Sequence, residues 1–186
     1  MTARRRAFRA AGLLVLLLLG ACTPLAPGQA VRYSPTPHHV VLAMLRLAGV
    51  RPDDLVYDLG SGDGRIVVAA ARDFGARAVG VEVDRVLASA GRRNVESAGV
   101  ADRVRIVEQD MFETDLSPAS VVTLYLSEAL NARLQPKLLR ELRPGSRVVS
   151  YRVDMDDWTP AQTATVEVEG RARTLYLWIV PPRRAS

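Results

Sequence analysis

Seven consecutive residues carry the densest chemistry in the chain: Asp58-Leu59-Gly60-Ser61-Gly62-Asp63-Gly64. Three glycines alternate with other residues, and two aspartates are set into the run. Glycine there lets the backbone turn tightly and lets a ligand approach with no Cβ in the way. A dinucleotide-binding loop would read G-x-G-x-x-G and offer a free helix N-terminus to a pyrophosphate. Here the third glycine comes one residue early, and Asp58 and Asp63 place negative charge where a phosphate would be repelled. The pattern suits a cationic or neutral ligand bearing amine and hydroxyl groups.

Two further acids, Glu82 and Asp110, close later apolar segments, VGVE and VRIVEQD. Loop, first acid and second acid, in that order, resemble the cofactor motifs of class I S-adenosylmethionine-dependent methyltransferases, whose loop reads D/E-x-G-x-G-x-G. The resemblance implies a Rossmann-like fold with S-adenosyl-L-methionine as cofactor. It implies that Asp58, Gly60, Ser61, Gly62, Asp63 and Gly64 cradle that cofactor. It implies that Glu82 takes both ribose hydroxyls, which an acceptor-only carboxylate can do. Asp110 would stand near the adenine amino group, and Met111 would offer backbone contacts to the ring.

The likeness extends over roughly residues 33 to 160. YSPTP, YDLGSGDGRIVVAAA, VTLYL, KLLREL-PG and DW-P are similar to a family of small membrane-attached protein-lysine methyltransferases. Its eukaryotic members modify mitochondrial proteins such as the adenine nucleotide translocase and a component of the ATP synthase. This resemblance implies a protein substrate presenting lysine. It also implies that the segment before the first helix folds over the cofactor, with Tyr33 and Thr36 in contact. Tyr125, after the fourth strand, would either orient the incoming amine or pack over the cofactor. Arg152, Asp154, Asp156, Asp157 and Trp158 follow the fifth strand on the same edge. Arg152, Asp154 and Trp158 are candidate substrate contacts, with a solvated acidic loop and core packing as the competing readings.

These residues need a scaffold that brings strand ends together. VVLAMLRLAGV (40–50) has helical spacing, and Thr36 and Pro37 are expected to cap it. Strands are expected over 54–60, 76–84, 104–110, 121–127 and 146–153. Helices are expected over 65–75, 85–98 and 128–142, the last with a possible bend at Pro136. Two alternating segments, TATVEVEG and RTLYLWIV, predict a closing hairpin that turns near Gly170-Arg171. The expected fold is α/β: a Rossmann-like, doubly wound, mostly parallel sheet with a C-terminal antiparallel hairpin. His38 and His39 are adjacent on a helix and diverge around its axis, so no metal site is expected.

The chain has 186 residues, 48% of them hydrophobic, and a formal charge of +5. Arg4, Arg5, Arg6 and Arg9 precede the first apolar run; without those four charges the rest carries 5 − 4 = +1. Nucleic acid is therefore an unlikely partner. The apolar run from Ala10 to Ala21 is shorter than the roughly 20 residues of a spanning helix. Basic, apolar and small residues in that order describe a signal peptide, and Leu19-Gly20-Ala21-Cys22 resembles a bacterial lipobox. Residues 1–21 are thus expected to be a lipoprotein-type signal peptide and 22–35 a tether. Residues 36–186 would be the methyltransferase domain, held at the extracytoplasmic side of a membrane through lipidated Cys22. Such an address conflicts with a cofactor made in the cytoplasm. An exported binding module without activity and a small-molecule methyltransferase are the alternatives to a protein-lysine methyltransferase.

Overall fold

A computed structural model describes residues 34–155 and 157–183. Cys22, Tyr33, Asp156 and the expected signal peptide, together with all but the last two residues of the expected tether, lie outside the described residues.

The elements run α1 (His38–Leu47), β1 (Leu55–Leu59), α2 (Arg65–Phe74), β2 (Arg77–Glu82), α3 (Arg85–Ser97), β3 (Val104–Glu108), β4 (Val121–Leu124), α4 (Glu128–Glu141), β5 (Arg147–Tyr151), β6 (Gln162–Val168) and β7 (Arg171–Ile179). The strands form one sheet in the order β3-β2-β1-β4-β5-β7-β6. The first five are parallel, and β7 runs antiparallel to both β5 and β6. This is the expected doubly wound sheet with its terminal hairpin. The hairpin folds back so that β7 is interior and β6 forms the edge.

Central strands covered on both faces read as unbroken apolar runs, and every residue of β4, VVTL, is buried. Helices α1, α2 and α3 cover one face, joining Val41, Met44 and Val67 to Val56, Ile106 and Val149 in one core cluster. The other face packs beneath α4, where Leu134, Leu138 and Leu142 meet Val122, Leu124, Val148 and Trp178. The chain order reverses at β1, which lies between β2 and β4. Ligands of open α/β sheets sit beyond the carboxyl ends of the strands at such a reversal.

Two local expectations are corrected. Thr36 does not cap α1: Pro37 holds the cap position, no side chain caps the helix, and α1 starts at His38. The Pro37 carbonyl instead accepts from the amides of Val40 and Val41. The hairpin turns one residue earlier than expected, at Glu169 (φ 51°) and Gly170 (φ 70°), with Val168 paired to Arg171. A two-residue type I′ turn, whose twist matches that of the strands, has positive φ at both central positions. Pro136 is accommodated, since α4 runs through it as one element.

Candidate active site

The glycine loop leaves β1 and enters α2. It is tied down at its start, where the amides of Gly60 and Ser61 both donate to the Val81 carbonyl, at 2.9 and 3.0 Å. Gly60 has a φ of 77°, and a Cβ there would lie 2.9 Å from Leu126 Cδ2. Its lack of a side chain is therefore required by backbone and packing before any ligand is considered. Gly80, on β2, is just as constrained. A Cβ at Gly80 would lie 2.7 Å from both Ser61 Oγ and Ile106 Cδ1, so the loop rests directly on β2.

Glu82 ends β2 and is buried. One carboxylate oxygen accepts from the Gly62 amide at 2.8 Å, the other from the Asp84 amide at 2.8 Å. The carboxylate is fixed from both sides and keeps acceptor capacity on each oxygen. That geometry fits a ligand with two neighbouring hydroxyls. Asp84 in turn caps α3, accepting from Val86 and Leu87.

Asp58 is buried just below the loop, and the Thr123 hydroxyl donates to its Oδ1 at 2.7 Å. Burial pushes this carboxyl up to about 7, against the Thr123 hydrogen bond, with the charges of Glu82 and Asp63 adding to the rise. A ligand cation placed near it would favour the ionised form.

Asp63 is paired within the chain. Arg65 Nη2 meets Asp63 Oδ2 at 2.6 Å, and Arg65 Nε meets Oδ1 at 2.9 Å. This fork pairs a charge that the loop motif alone assigns to the ligand. The same guanidinium donates from Nη1 to the Thr36 carbonyl at 3.0 Å. Thr36 is thus fastened over the loop by its backbone, through Arg65.

Asp110 opens a turn after β3, where its Oδ1 accepts from the Phe112 amide at 2.8 Å. Met111 lies beside it, its Cε 3.9 Å from the point a Gly60 Cβ would occupy. Loop, Glu82 and the Asp110–Met111 turn therefore surround one crevice at the carboxyl edge.

The candidate substrate residues divide between the two faces of the sheet. The Tyr125 ring packs against Tyr151, centroids 4.7 Å apart, and its hydroxyl lies 3.4 Å from Arg152 Nη1. Both rings belong to the face covered by α1. Arg152 itself has a φ of 71°, and its amide donates to the Thr174 carbonyl at 2.8 Å. Trp158 packs on the opposite face, 6.0 Å from Trp178 between ring centroids, and its carbonyl accepts from the Trp178 indole. Asp154 is exposed, with Oδ1 accepting from the Met155 amide at 2.7 Å. Tyr125, Tyr151 and Arg152 thus form a cluster that Trp158 does not join.

Sequence reasoning passed over Thr123, Asn131, Tyr151 and Arg65. Thr123 was legible as the polar interruption of an apolar strand. Asn131 was legible too, because it shares the inward face of α4 with Leu134 and Leu138 at helical spacing. The pairing of Arg65 with Asp63 had no separate signal. Among the described residues no group of acidic, His or Cys side chains is arranged to hold a metal ion.

Residues 58–162 match the family model described as the ANTKMT methyltransferase domain. The chain is 45% identical over 151 residues to a protein-lysine N-methyltransferase of Saccharolobus islandicus, covering 81% of this chain and 94% of that protein. It is 37% identical over 120 residues to the mouse adenine nucleotide translocase lysine N-methyltransferase, covering 64% of this chain and 51% of the mouse protein. The chain therefore spans only about half the length of that animal relative. The crystal structure of an RNA methyltransferase from Salinibacter ruber with S-adenosyl-L-homocysteine superposes with a TM-score of 0.76 at 49% identity. That match covers 82% of this chain and 97% of the other.

Proposed function

The chain belongs to the ANTKMT methyltransferase family, and from that premise we propose that it transfers a methyl group from S-adenosyl-L-methionine to lysine side chains of a protein. The observation that carries this reading is the 45% identity spread over 94% of an archaeal protein-lysine N-methyltransferase. When bound, S-adenosyl-L-methionine supplies an electrophilic methyl on a sulfonium centre. The protein's own residues must hold that molecule, align a neutral amine with it and keep water out. Glu82, fixed by two amides, is suited to the ribose hydroxyls, and Asp58 places negative charge at the loop for a cationic ligand. Tyr125 and Arg152, in contact after β4 and β5, are the groups assigned here to receive the amine. A lysine begins near pKa 10.4, so this side must favour its uncharged form.

The charge layout favours a cationic acceptor over a polyanion. Among residues that directly follow the parallel strands, Asp84, Glu113, Asp115, Glu128, Asp154 and Asp157 are exposed acids, against the exposed cations Arg85 and Arg152. The amino-end edge carries exposed Arg46, Arg51, Arg77, Arg103, Arg143 and Arg183, against the exposed acids Asp53 and Asp102. An acidic rim attracts an ammonium and repels a phosphate backbone. RNA remains a second reading because the Salinibacter neighbour is described as an RNA methyltransferase.

A competition assay tests the choice. The full chain is given methyl-labelled S-adenosyl-L-methionine with poly-L-lysine and total RNA together, and the products are hydrolysed and identified by mass. Methyl-lysine is expected. Label confined to nucleotides would replace this reading with the RNA one.

We further propose that the domain works from a membrane, anchored by lipid on Cys22, with the domain on the extracytoplasmic side. The support is the order of basic, apolar and small residues ahead of that single cysteine. Among the described residues no helix is long and apolar enough to cross a membrane. Globomycin treatment of expressing cells is expected to accumulate an unprocessed precursor, and unchanged mobility would count against lipidation.

A further inference from the structure

Asn131 lies in the first turns of α4 and is fully buried. Its Nδ2 donates to Ser150 Oγ at 3.3 Å and to the Val153 carbonyl at 3.4 Å. The Val153 carbonyl only accepts, which sets the amide's orientation with nitrogen toward β5. Ser150 is fully buried as well. Asn131 Oδ1 finds no hydrogen-bond partner among the described residues.

An unsatisfied buried acceptor costs stability, and an apolar residue of similar shape would remove the cost. Leucine would suit the site on packing grounds, since Leu134 and Leu138 line the same inward face of α4. The Asn131 bonds end on the segment that carries Arg152. Arg152 is a non-glycine residue with a φ of 71°, a conformation that persists only where its surroundings over-determine it. Two holds are visible. Thr174 on β7 takes the Arg152 amide from one side, and Asn131 takes the next residue's carbonyl from the other. Between them the Arg152 guanidinium comes to the Tyr125 hydroxyl.

We propose that Asn131 is a positioning residue for the acceptor side of the site: through Ser150 and the Val153 carbonyl it holds the turn after β5 that directs Arg152 toward Tyr125. A polar side chain in an otherwise apolar interface then trades fold stability for a fixed acceptor pocket. The proposal rests on the methyltransferase reading only for what the turn is used for; the hold itself is independent of it.

The test compares Asn131→Leu with the wild-type full chain by hydrogen exchange, thermal melting and kinetics. The expected result has three parts. Amides of residues 152–155 exchange at least tenfold faster while those of β1 and β4 are unchanged. The melting temperature is equal or higher. With poly-L-lysine as acceptor, kcat falls at least tenfold while KM for S-adenosyl-L-methionine stays within twofold. Unchanged exchange over 152–155 overturns the proposal, as does a kcat equal to wild type. Should Asn131→Leu fail to fold, Ser150→Ala decides, since it deletes a single oxygen: faster exchange at 152–155 supports the hold, and none overturns it. Should the wild type label no lysine, the lysine reading fails, and the exchange comparison still decides the role of Asn131.

Discussion

Asp58 stands where a carboxylate is hardest to keep ionised. It is buried, and it faces two other acids with one hydroxyl donor. Its carboxyl moves from 3.8 to about 7 on folding. The native state therefore holds a proton that the unfolded chain has already lost. Stability is then expected to fall as pH rises from about 4 to about 7 and to level off above, by about 4 kcal/mol at 1.36 kcal/mol per pH unit. Denaturant melts across that range check the slope. Asp58→Asn should abolish most of it and raise stability at pH 8. The same variant should weaken S-adenosyl-L-methionine, because a neutral amide does not attract a cation. In the wild type, affinity should strengthen as pH rises through about 7, as the carboxylate forms. A calorimetric titration in two buffers of different ionisation enthalpy would detect the proton released. An affinity flat from pH 6 to 8 would show that Asp58 does not face the ligand's charge.

At the scale of elements, the site depends on how closely the loop lies on β2. Gly80→Ala would drive a Cβ into Ser61 Oγ and Ile106 Cδ1, each 2.7 Å away. Overpacking of that kind costs about 1–3 kcal/mol, and the strain falls on Ser61, inside the loop. The variant should lose cofactor affinity along with stability, both readable from melting with and without ligand. The hairpin makes a contrasting case. Glu169 occupies a left-handed position that glycine adopts freely. Glu169→Gly should raise stability by about 0.5–1 kcal/mol without altering the kinetics. A strap joins the segment before α1 to the loop, from Thr36 through Arg65 to Asp63. Arg65→Ala is expected to loosen residues 34–37, seen as faster proteolysis there, and to raise KM for the cofactor more than it lowers kcat.

Over the whole molecule, the order of strands and helices was legible because periodicity and glycine punctuation agree. Apolar runs of four to six residues alternate with longer amphipathic ones; Gly49, Gly75 and Gly99 follow the ends of α1, α2 and α3, and the one glycine cluster, 60–64, leaves β1. The gathering of Asp58, Glu82 and Asp110 at one edge of the sheet was legible for a related reason: each lies in or within two residues of the strand end that places it, so local pattern suffices. The cluster of Tyr125, Tyr151 and Arg152 was not, because it forms only when β4 and β5 pair, and no short motif encodes that meeting. For Trp158 the sequence left substrate contact and core packing open, and its ring lies on the apolar face shared with Trp178. The pairing of Asp63 with Arg65 was not legible, because only the fold of the loop brings the guanidinium round to it.

Everything proposed for the chemistry depends on the glycine loop and Glu82 holding S-adenosyl-L-methionine. The most direct measurement is calorimetric titration of that molecule into the full chain, beside a Glu82→Ala variant that melts at a similar temperature. Loss of a charged acceptor fixed by two amides should cost about 1.5–3 kcal/mol, a weakening of roughly ten- to a hundredfold. Cofactor binding by the loop and Glu82 requires saturable one-to-one binding by the wild type and a drop of that size in the variant. No binding by the wild type, or equal binding by both, would contradict it.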